Sequence, residues 1–290
     1  MLQKRQSEII WKIDKEMNST KEYINIHKLI KASDSKFLKR LPNFVIYLIK
    51  LIIRQNEINR ILSAYADCMG VEFLSKIKDE LNIKIEIDGM ENLPENGKCF
   101  FVANHPFGFV DGLVLTKTVG SKYGDFRAIG NEVFILIPHL KSNIAAVNVF
   151  GANSRSYLLE LEKVFASDIP ITHFPAGLVS RIKERNIEDS VWQKAFINKS
   201  IEYQRDIVPF FFYGRNSSLF YLIYIIRKAL CIKANIELVL LPHEIFNKKN
   251  KTIKVKIGKP ISYQVFDKNK THYEWAQFVK EQVYNLKSSR

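Results

Sequence analysis

The spacing of apolar residues predicts helices through the first part of the chain. Ile9, Ile10, Ile13 and Met17 fall at helical spacing in a first predicted helix. Two further helices are predicted over residues 42–54 and 57–81. We therefore expect a helical N-terminal region over residues 1–82, followed by a second domain over residues 83–290.

From residue 83 onward the pattern changes to short apolar runs that alternate with helix-like segments. The predicted strands are 83–89, 99–103, 143–150, 169–174, 207–213, 236–241 and 252–257, and the predicted helices are 113–118, 154–165, 191–203, 217–230 and 273–286. This alternation predicts an α/β fold, a mixed and largely parallel sheet flanked by helices. In such sheets the active site lies in loops beyond the carboxyl ends of the strands.

One of these loops carries a candidate catalytic pair. Asn104 and His105 follow the strand 99–103, and Asp111 comes six positions after the histidine. In a continuous helix the pair would point about 240° apart, so they can meet only if the backbone turns between them. The intervening Pro and Gly permit such a turn. Asp111 could then orient His105 as a general base, or the histidine could be structural and Asp111 a helix cap.

The sequence has no matching protein nucleophile. It contains no G-x-S-x-G, no P-loop and no G-x-G-x-x-G. A His/Asp base without a nucleophile favours direct attack by a hydroxyl or amine of a substrate. The three cysteines are far apart and the other histidines lack metal-ligand spacing, so we expect neither a metal nor a cofactor. His173 directly precedes residues 174–177 and could enter the site, but a buried and hydrogen-bonded histidine is the preferred interpretation.

The net charge suggests a partner. Lys and Arg number 44 against 30 Asp and Glu, which gives +14. This excess favours an acidic membrane surface or nucleic acid, although a lysine-rich composition alone could produce it. No nucleic-acid-binding motif is present and the lysines are spread along the chain, so we expect no nucleic acid.

Two apolar segments bounded by cations could lie on a membrane. Segment 42–54 is typical of an interfacial helix that docks on anionic lipid, and equally of a helix packed on the main domain. Segment 219–228 ends in cations but is apolar almost all round, so burial against the sheet is the preferred interpretation. Both are shorter than the roughly 20 apolar residues that span a bilayer, and the charged N-terminus lacks the apolar core of a signal peptide.

Four motifs occur in a recognisable order: NHPFGFVDG at 104–112, FPAGLVSR at 174–181, IVPFFFYGRNS at 207–217 and IGKPI at 257–261. Together they resemble the glycerolipid (lysophospholipid) acyltransferase family, whose hallmark is a His and an Asp separated by four residues. The gap here is five residues, as in the bacterial branch labelled hemolysin or ornithine-lipid and glycine-lipid O-acyltransferase. The resemblance covers about residues 56–260 and implies a glycerol-3-phosphate acyltransferase-like α/β fold.

The resemblance also implies roles for individual residues. His105 would deprotonate an acceptor hydroxyl, with Asp111 orienting it, and the hydroxyl would attack the thioester of an acyl carrier protein or coenzyme A. Phe174, Pro175 and Gly177 would line the acceptor pocket. Gly130, Asn131 and Glu132 stand in the place of the family's second motif, and further implied substrate-binding residues are Asn104, Gly108, Ser180 and Arg181.

Two departures from the family bear on the acceptor. Ala176 stands where lysophosphatidate acyltransferases carry Glu, and residues 147–150 lack the Arg that meets the acceptor phosphate. Arg155 or Arg181 could replace it, but neither is in register. Because an Arg–phosphate contact is among the stronger recognition elements, we expect a differently headed lyso-lipid, such as a monoacylated amino-acid lipid.

We expect the enzyme to be peripheral, on the cytoplasmic face of the inner membrane. The alternative is a non-catalytic lipid- or membrane-binding protein on the same fold.

Overall fold

The structure is a computed structural model that describes residues 22–32, 39–131, 137–147, 155–184 and 186–288. The chain groups into two compact units that divide between Asp67 and Cys68. The sequence predicted a boundary after residue 82, which lies one helix further along the chain than this division. The helix predicted around residues 9–17 lies outside the described residues.

The described residues of the first unit form three short helices: α1 (Ile26–Ala32), α2 (Asn43–Ile52) and α3 (Gln55–Ala64). Side-chain amides of α3 hold the segment that leads into α1. The Asn59 amide accepts from the N–H of Ile24 and donates to its carbonyl, both at 2.8 Å, and Gln55 Oε1 accepts from the N–H of Ile26 at 2.9 Å. Both amide side chains are buried, so their polar groups need the hydrogen-bond partners that this segment supplies.

The single helix predicted over 57–81 is wrong, because the chain leaves the helical conformation between α3 and the next helix, α4 (Gly70–Glu80). Gly70 has φ +52°, a left-handed conformation that glycine adopts readily and that interrupts a helix. Apolar residues keep their helical spacing on both sides of this break, so the sequence pattern does not show where one helix ends and the next begins.

The second unit begins with α4 and is built around a sheet. Its strands are β1 (Lys84–Asp88), β2 (Cys99–Ala103), β3 (Arg127–Asn131), β4 (Ile144–Val147), β5 (Ile171–His173), β6 (Arg181–Lys183), β7 (Asn186–Glu188), β8 (Asp206–Tyr213) and β9 (Thr252–Ile257). Its further helices are α5 (Phe109–Tyr123), α6 (Arg155–Ala166), α7 (Ala195–Tyr203), α8 (Ser218–Ala229), α9 (Leu241–Asn247) and α10 (His272–Asn285).

Within the described chain, seven strands form the main sheet in the order β1-β9-β8-β2-β5-β3-β4, and β6 and β7 form a separate hairpin. Neighbours in the main sheet are parallel except β8 and β9. The predicted mixed, largely parallel sheet is therefore confirmed.

Both faces of the sheet are covered by helices. On one face, Phe100, Ile171 and Ile207 pack with residues of α6, α7 and α10. On the other lie α5 and α4, and a Cβ at Gly120 of α5 would stand only 2.5 Å from Val71 of α4. Strand β2, at the centre of the sheet, is buried at all five positions, so the loop that follows it leaves from the middle of the domain.

Two elements differ from the sequence-based expectation. Residues 236–241, predicted as a strand, form a 3₁₀ turn (Ile236–Leu240) that continues into α9. A short apolar run does not distinguish a strand from a helix, and Pro242 suits a helix's first turn. Strand β3 was not predicted, because its sequence RAIGN has neither an apolar run nor alternation.

Candidate active site

The loop between β2 and α5 reverses the chain within five residues, 104–108. Gly108 takes φ +93°, which favours glycine. The turn places His105 at the carboxyl end of the central strand and Asp111 in the first turn of α5.

The turn brings the two side chains into contact. Nδ1 of His105 lies 2.8 Å from Oδ2 of Asp111. The Asp111 carboxylate is fully buried and also accepts the backbone N–H groups of Phe107 and Gly108 at 3.0 and 3.2 Å. Asp111 therefore both caps α5 and contacts the histidine, so the two interpretations of this residue are compatible.

The contact with Asp111 determines which imidazole nitrogen is basic. A carboxylate only accepts hydrogen bonds, so Nδ1 carries the proton in the neutral ring and Nε2 keeps its lone pair. Phe174 stacks on the face of the His105 ring, with centroids 4.1 Å apart and planes at 25°. The His105 side chain is only 17% exposed.

The backbone of His105 is held as firmly as its ring. Its N–H donates to Oδ1 of Asp189 at 3.1 Å, and its carbonyl accepts from the N–H of Ser180 at 2.8 Å. Asp189 is itself buried and accepts from the Ser180 hydroxyl at 2.6 Å and from the Trp192 indole at 2.9 Å. Burial raises the pKa of Asp189, and these donors oppose that shift.

Asp189 is the residue of this site that the sequence did not reveal. It follows β7, 84 positions after His105, and no motif surrounds it. Only the fold brings it beside the loop 104–108.

A cavity of about 150 Å³ opens beside His105, between α5 and the sheet. The walls are mostly apolar and include four glycines: the lining residues are Leu74, His105, Gly108, Phe109, Gly112, Leu113, Thr116, Phe126, Ala128, Ile129, Gly130, Leu140, Ile144, Thr172, His173, Phe174 and Gly177. No Lys or Arg occurs among the described residues that line it. Such a space suits an apolar chain whose reactive end is at the histidine.

The sequence pattern of the acyltransferase family matches residues 29–290. This chain belongs to that family. It is 44% identical over 264 residues to the lyso-glycine lipid O-acyltransferase of Phocaeicola vulgatus, covering 91% of this chain and 95% of that one. It is 40% identical over 264 residues to the lyso-glycine lipid O-acyltransferase of Bacteroides thetaiotaomicron, covering 91% and 97%.

A solved structure, the 1-acyl-sn-glycerophosphate (LPA) acyltransferase PlsC of Thermotoga maritima, is similar at a TM-score of 0.47 and 15% identity, covering 91% of this chain and 88% of that one. The resemblance to glycerolipid acyltransferases, stated from the four motifs, is confirmed by the family match and the two relatives. So is the prediction of an O-acyltransferase.

In this acyltransferase, some of the predicted substrate-binding residues line the cavity and others bond to the protein itself. Gly108, Gly130, Phe174 and Gly177 line the cavity. Gly177 closes a turn, with φ +69° and its N–H donating to the carbonyl of Phe174 at 2.9 Å. Asn131 ends β3, and Glu132 lies outside the described residues.

Other predicted residues bond to the protein itself. The buried Asn104 amide donates to the carbonyl of Phe212 at 3.0 Å and accepts from its N–H at 2.7 Å, which ties the end of β2 to β8. Pro175 is buried, and its carbonyl accepts from the N–H of Gln193 at 3.0 Å. Ser180 bonds to Asp189. Substrate contact by these residues stays a prediction.

Arg181 lies away from the cavity. Its guanidinium pairs with Glu237 at 3.0 Å, and that carboxylate is fully buried. Arg227 stands on the other side of Glu237, at 2.8 Å. A buried carboxylate between two guanidinium groups loses its compensation when either is removed, so this position of Arg181 fits a structural role.

His173 belongs to the lining of the cavity beside His105. Its ring also neighbours Phe196 of α7, with centroids 6.1 Å apart. Burial lowers its pKa to about 4, so the ring is neutral near pH 7. Nδ1 of His173 is buried without a hydrogen-bond partner among the described residues. Of the preferred interpretation, a buried and hydrogen-bonded histidine, the structure therefore supports the burial, and it also places the residue in the cavity lining.

Proposed function

We propose that this acyltransferase transfers a fatty acyl group from a thioester, acyl-ACP or acyl-CoA, to the hydroxyl of a lyso-lipid. The acceptor we propose is an amino-acid lipid, such as the lyso-glycine lipid for which its relatives are named. The observation that carries the proposal is the His105–Asp111 pair, whose histidine lines an apolar cavity.

The geometry supports a general-base mechanism. Nε2 of His105 takes the proton of the acceptor hydroxyl as its oxygen bonds to the thioester carbon. The buried Asp111 carboxylate stabilises the imidazolium that forms. The tetrahedral oxyanion then collapses, the C–S bond breaks, and the imidazolium returns its proton to the leaving thiolate. The products are an ester and a free thiol.

Direct transfer is favoured over an acyl-enzyme on Cys99. Cys99 begins β2 and is buried, and burial raises the pKa of its thiol to about 12. A thiol that stays protonated is a poor nucleophile.

The charges around the cavity support an acceptor without a phosphate. The described lining residues include no cation, and Arg181 is committed to Glu237. An acceptor phosphate in this cavity would be desolvated without a partner, which is costly.

Two exposed helix faces support attachment to an anionic membrane surface. In the first unit, α2 exposes Phe44, Tyr47, Leu48 and Leu51 and carries Lys50 near its end. In the second unit, α8 exposes Leu219, Leu222, Ile225 and Ile226, while Phe220, Tyr221 and Arg227 are buried. The preferred interpretation of segment 219–228 as wholly buried is therefore wrong, since only one face packs on the domain.

The helices in the described ranges are all too short or too polar to cross a bilayer. Exposed apolar side chains with nearby cations fit a surface-bound enzyme. We accordingly propose a peripheral location, on the cytoplasmic face of the inner membrane.

Purified enzyme with anionic vesicles tests the proposal. Acyl-ACP and acyl-CoA are each supplied with lyso-glycine lipid or with lysophosphatidate, and the products are identified by mass spectrometry. We expect acylated glycine lipid and little phosphatidate. Equal or greater activity on lysophosphatidate would overturn the proposed acceptor, and vesicle binding without any transfer would overturn the proposed reaction in favour of a lipid-binding role.

A further inference from the structure

Thr172 places a hydroxyl in the apolar wall of the cavity. The residue is 1% exposed and belongs to the cavity lining. Its Oγ1 is buried and has no hydrogen-bond partner in the described structure. The other lining threonine, Thr116, differs in this respect, because its hydroxyl donates to the carbonyl of Gly112 at 2.5 Å.

The register of the sheet determines where the Thr172 side chain points. Successive residues of a strand face opposite sides. Ile171 belongs to the core cluster with Trp192, so Thr172 faces the α5 side. Its partner in β3 is Ala128, another lining residue. The Thr172 side chain therefore faces the cavity.

The same alternation relates Thr172 to the catalytic histidine. Phe174 lies two residues further along, on the α5 side, and its ring stacks on His105. Two strand residues advance roughly 7 Å. Thr172 therefore lies roughly 7 Å further from the His105–Asp111 pair than Phe174 does. A lipid chain whose reacting end is at His105 would pass Thr172 as it extends into the cavity.

An unpaired hydroxyl at position 172 lowers the free energy of unfolding, and a valine side chain there would not. Burying a polar group without a hydrogen bond is unfavourable, and valine has the same β-branched shape and suits a strand at least as well. A threonine hydroxyl both donates and accepts, so it can bond to a hydroxyl or to either end of an amide.

We propose that Thr172 is a specificity residue, whose hydroxyl bonds to a polar substituent, a hydroxyl or an amide, on the lipid chain that occupies the cavity. This inference rests on the proposed function. The substituted chain belongs either to the acyl donor or to the lyso-lipid acceptor, and both present the same chemistry to Thr172.

Two matched substrate pairs separate these sources. The donor pair is two acyl thioesters of equal length, one plain and one bearing a chain hydroxyl. The acceptor pair is two lyso-lipids of equal length, one with an amide link and one with an ether link. Each pair is assayed with the wild type and with Thr172→Val, Thr172→Ser and Thr118→Val. Thr118 is a control outside the cavity lining, whose hydroxyl bonds to the carbonyl of Val114 at 2.8 Å.

We expect the wild type to prefer the polar member of one pair. In Thr172→Val, the ratio of kcat/KM for that substrate to kcat/KM for its apolar counterpart should fall about tenfold, as for the loss of one hydrogen bond. Thr172→Ser and Thr118→Val should keep the preference. The thermal midpoint of each variant shows that it is folded.

Two results would overturn the inference alone: a Thr172→Val enzyme with the wild-type preference in both pairs, or one that loses activity equally on all four substrates. The latter is expected if the hydroxyl serves only a trapped water. A folded wild-type enzyme that acylates no lyso-lipid would instead overturn the proposed function, and the inference with it.

Discussion

Nδ1 of His105 lies 2.8 Å from Oδ2 of Asp111, and the same carboxylate oxygen accepts the backbone N–H groups of Phe107 and Gly108. One buried oxygen therefore shapes the turn and orients the imidazole. The negative charge of Asp111 near the amino end of α5 also stabilises the helix. The turn and the orientation of the base are consequently not independent.

Replacing His105 by alanine should remove the base and leave the fold. We expect turnover to fall by roughly 10²–10⁴-fold, the usual range for general-base catalysis. The measurement is steady-state acyl transfer, beside a circular dichroism spectrum. His272→Ala, at an exposed position in α10, is the control and should retain activity. Wild-type turnover in His105→Ala would assign the base elsewhere.

Asp111→Asn should affect both catalysis and stability. An amide can donate to Nδ1 and so favour the wrong tautomer, and we expect turnover to fall on the order of 10²-fold or more. The weaker acceptor should also lower the free energy of unfolding by about 1–3 kcal/mol, since buried N–H groups of the turn lose part of their bonding. Urea denaturation measures the second effect. Unchanged stability would contradict the role of Asp111 in the turn.

Asp189→Asn should act on catalysis through His105. The substitution keeps an acceptor for the His105 N–H but removes a negative charge from beside the imidazolium. We expect kcat to fall roughly 10- to 100-fold, the scale of a small misplacement of catalytic groups, with KM nearly unchanged.

A variant that merely unfolds in part would behave differently from this expectation for Asp189→Asn. It would lose activity only in proportion to its folded fraction, which a circular dichroism spectrum measures. Ser180→Ala provides the comparison, since it removes one donor to Asp189 and leaves the carboxylate.

The sequence predicted the elements that have a local signal. The buried strand β2, the turn with Pro106 and Gly108, and the pair His105 and Asp111 lie within thirteen consecutive residues, 99–111. Their meeting could be anticipated because turn chemistry is local.

What the sequence did not predict depends on distant contacts. Asp189 reaches the loop only because the hairpin β6–β7 returns beside it. The ion pair of Arg181 with Glu237 joins residues 56 positions apart. Strand β3 is held by its neighbours β4 and β5 rather than by its own composition. Tertiary packing overrides weak strand propensity in such cases.

His173 should make stability depend on pH. Burial lowers its pKa from 6.5 to about 4, so between these values the unfolded chain binds a proton that the folded chain does not. The free energy of unfolding should therefore fall as the pH is lowered from 6.5 to 4, with up to about 3 kcal/mol from this residue. Urea denaturation at several pH values should find a weaker dependence in His173→Phe. An identical dependence in both proteins would contradict the buried neutral histidine.

The exposed face of α8 should contribute to membrane binding. Leu222 and Ile225 are 52% and 50% exposed, so Leu222→Asp with Ile225→Asp should leave the fold intact while removing apolar area and adding charge that anionic lipid repels. We expect at least a tenfold loss of binding in sedimentation with vesicles of anionic lipid, roughly 1.4 kcal/mol or more. Val265→Asp, 45% exposed and outside α8, is the matched control and should bind as the wild type does. Transfer to a detergent-solubilised acceptor should persist in the double variant, because neither residue lines the cavity. Equal loss of binding in the control would mean that added negative charge alone, rather than the face of α8, weakens attachment.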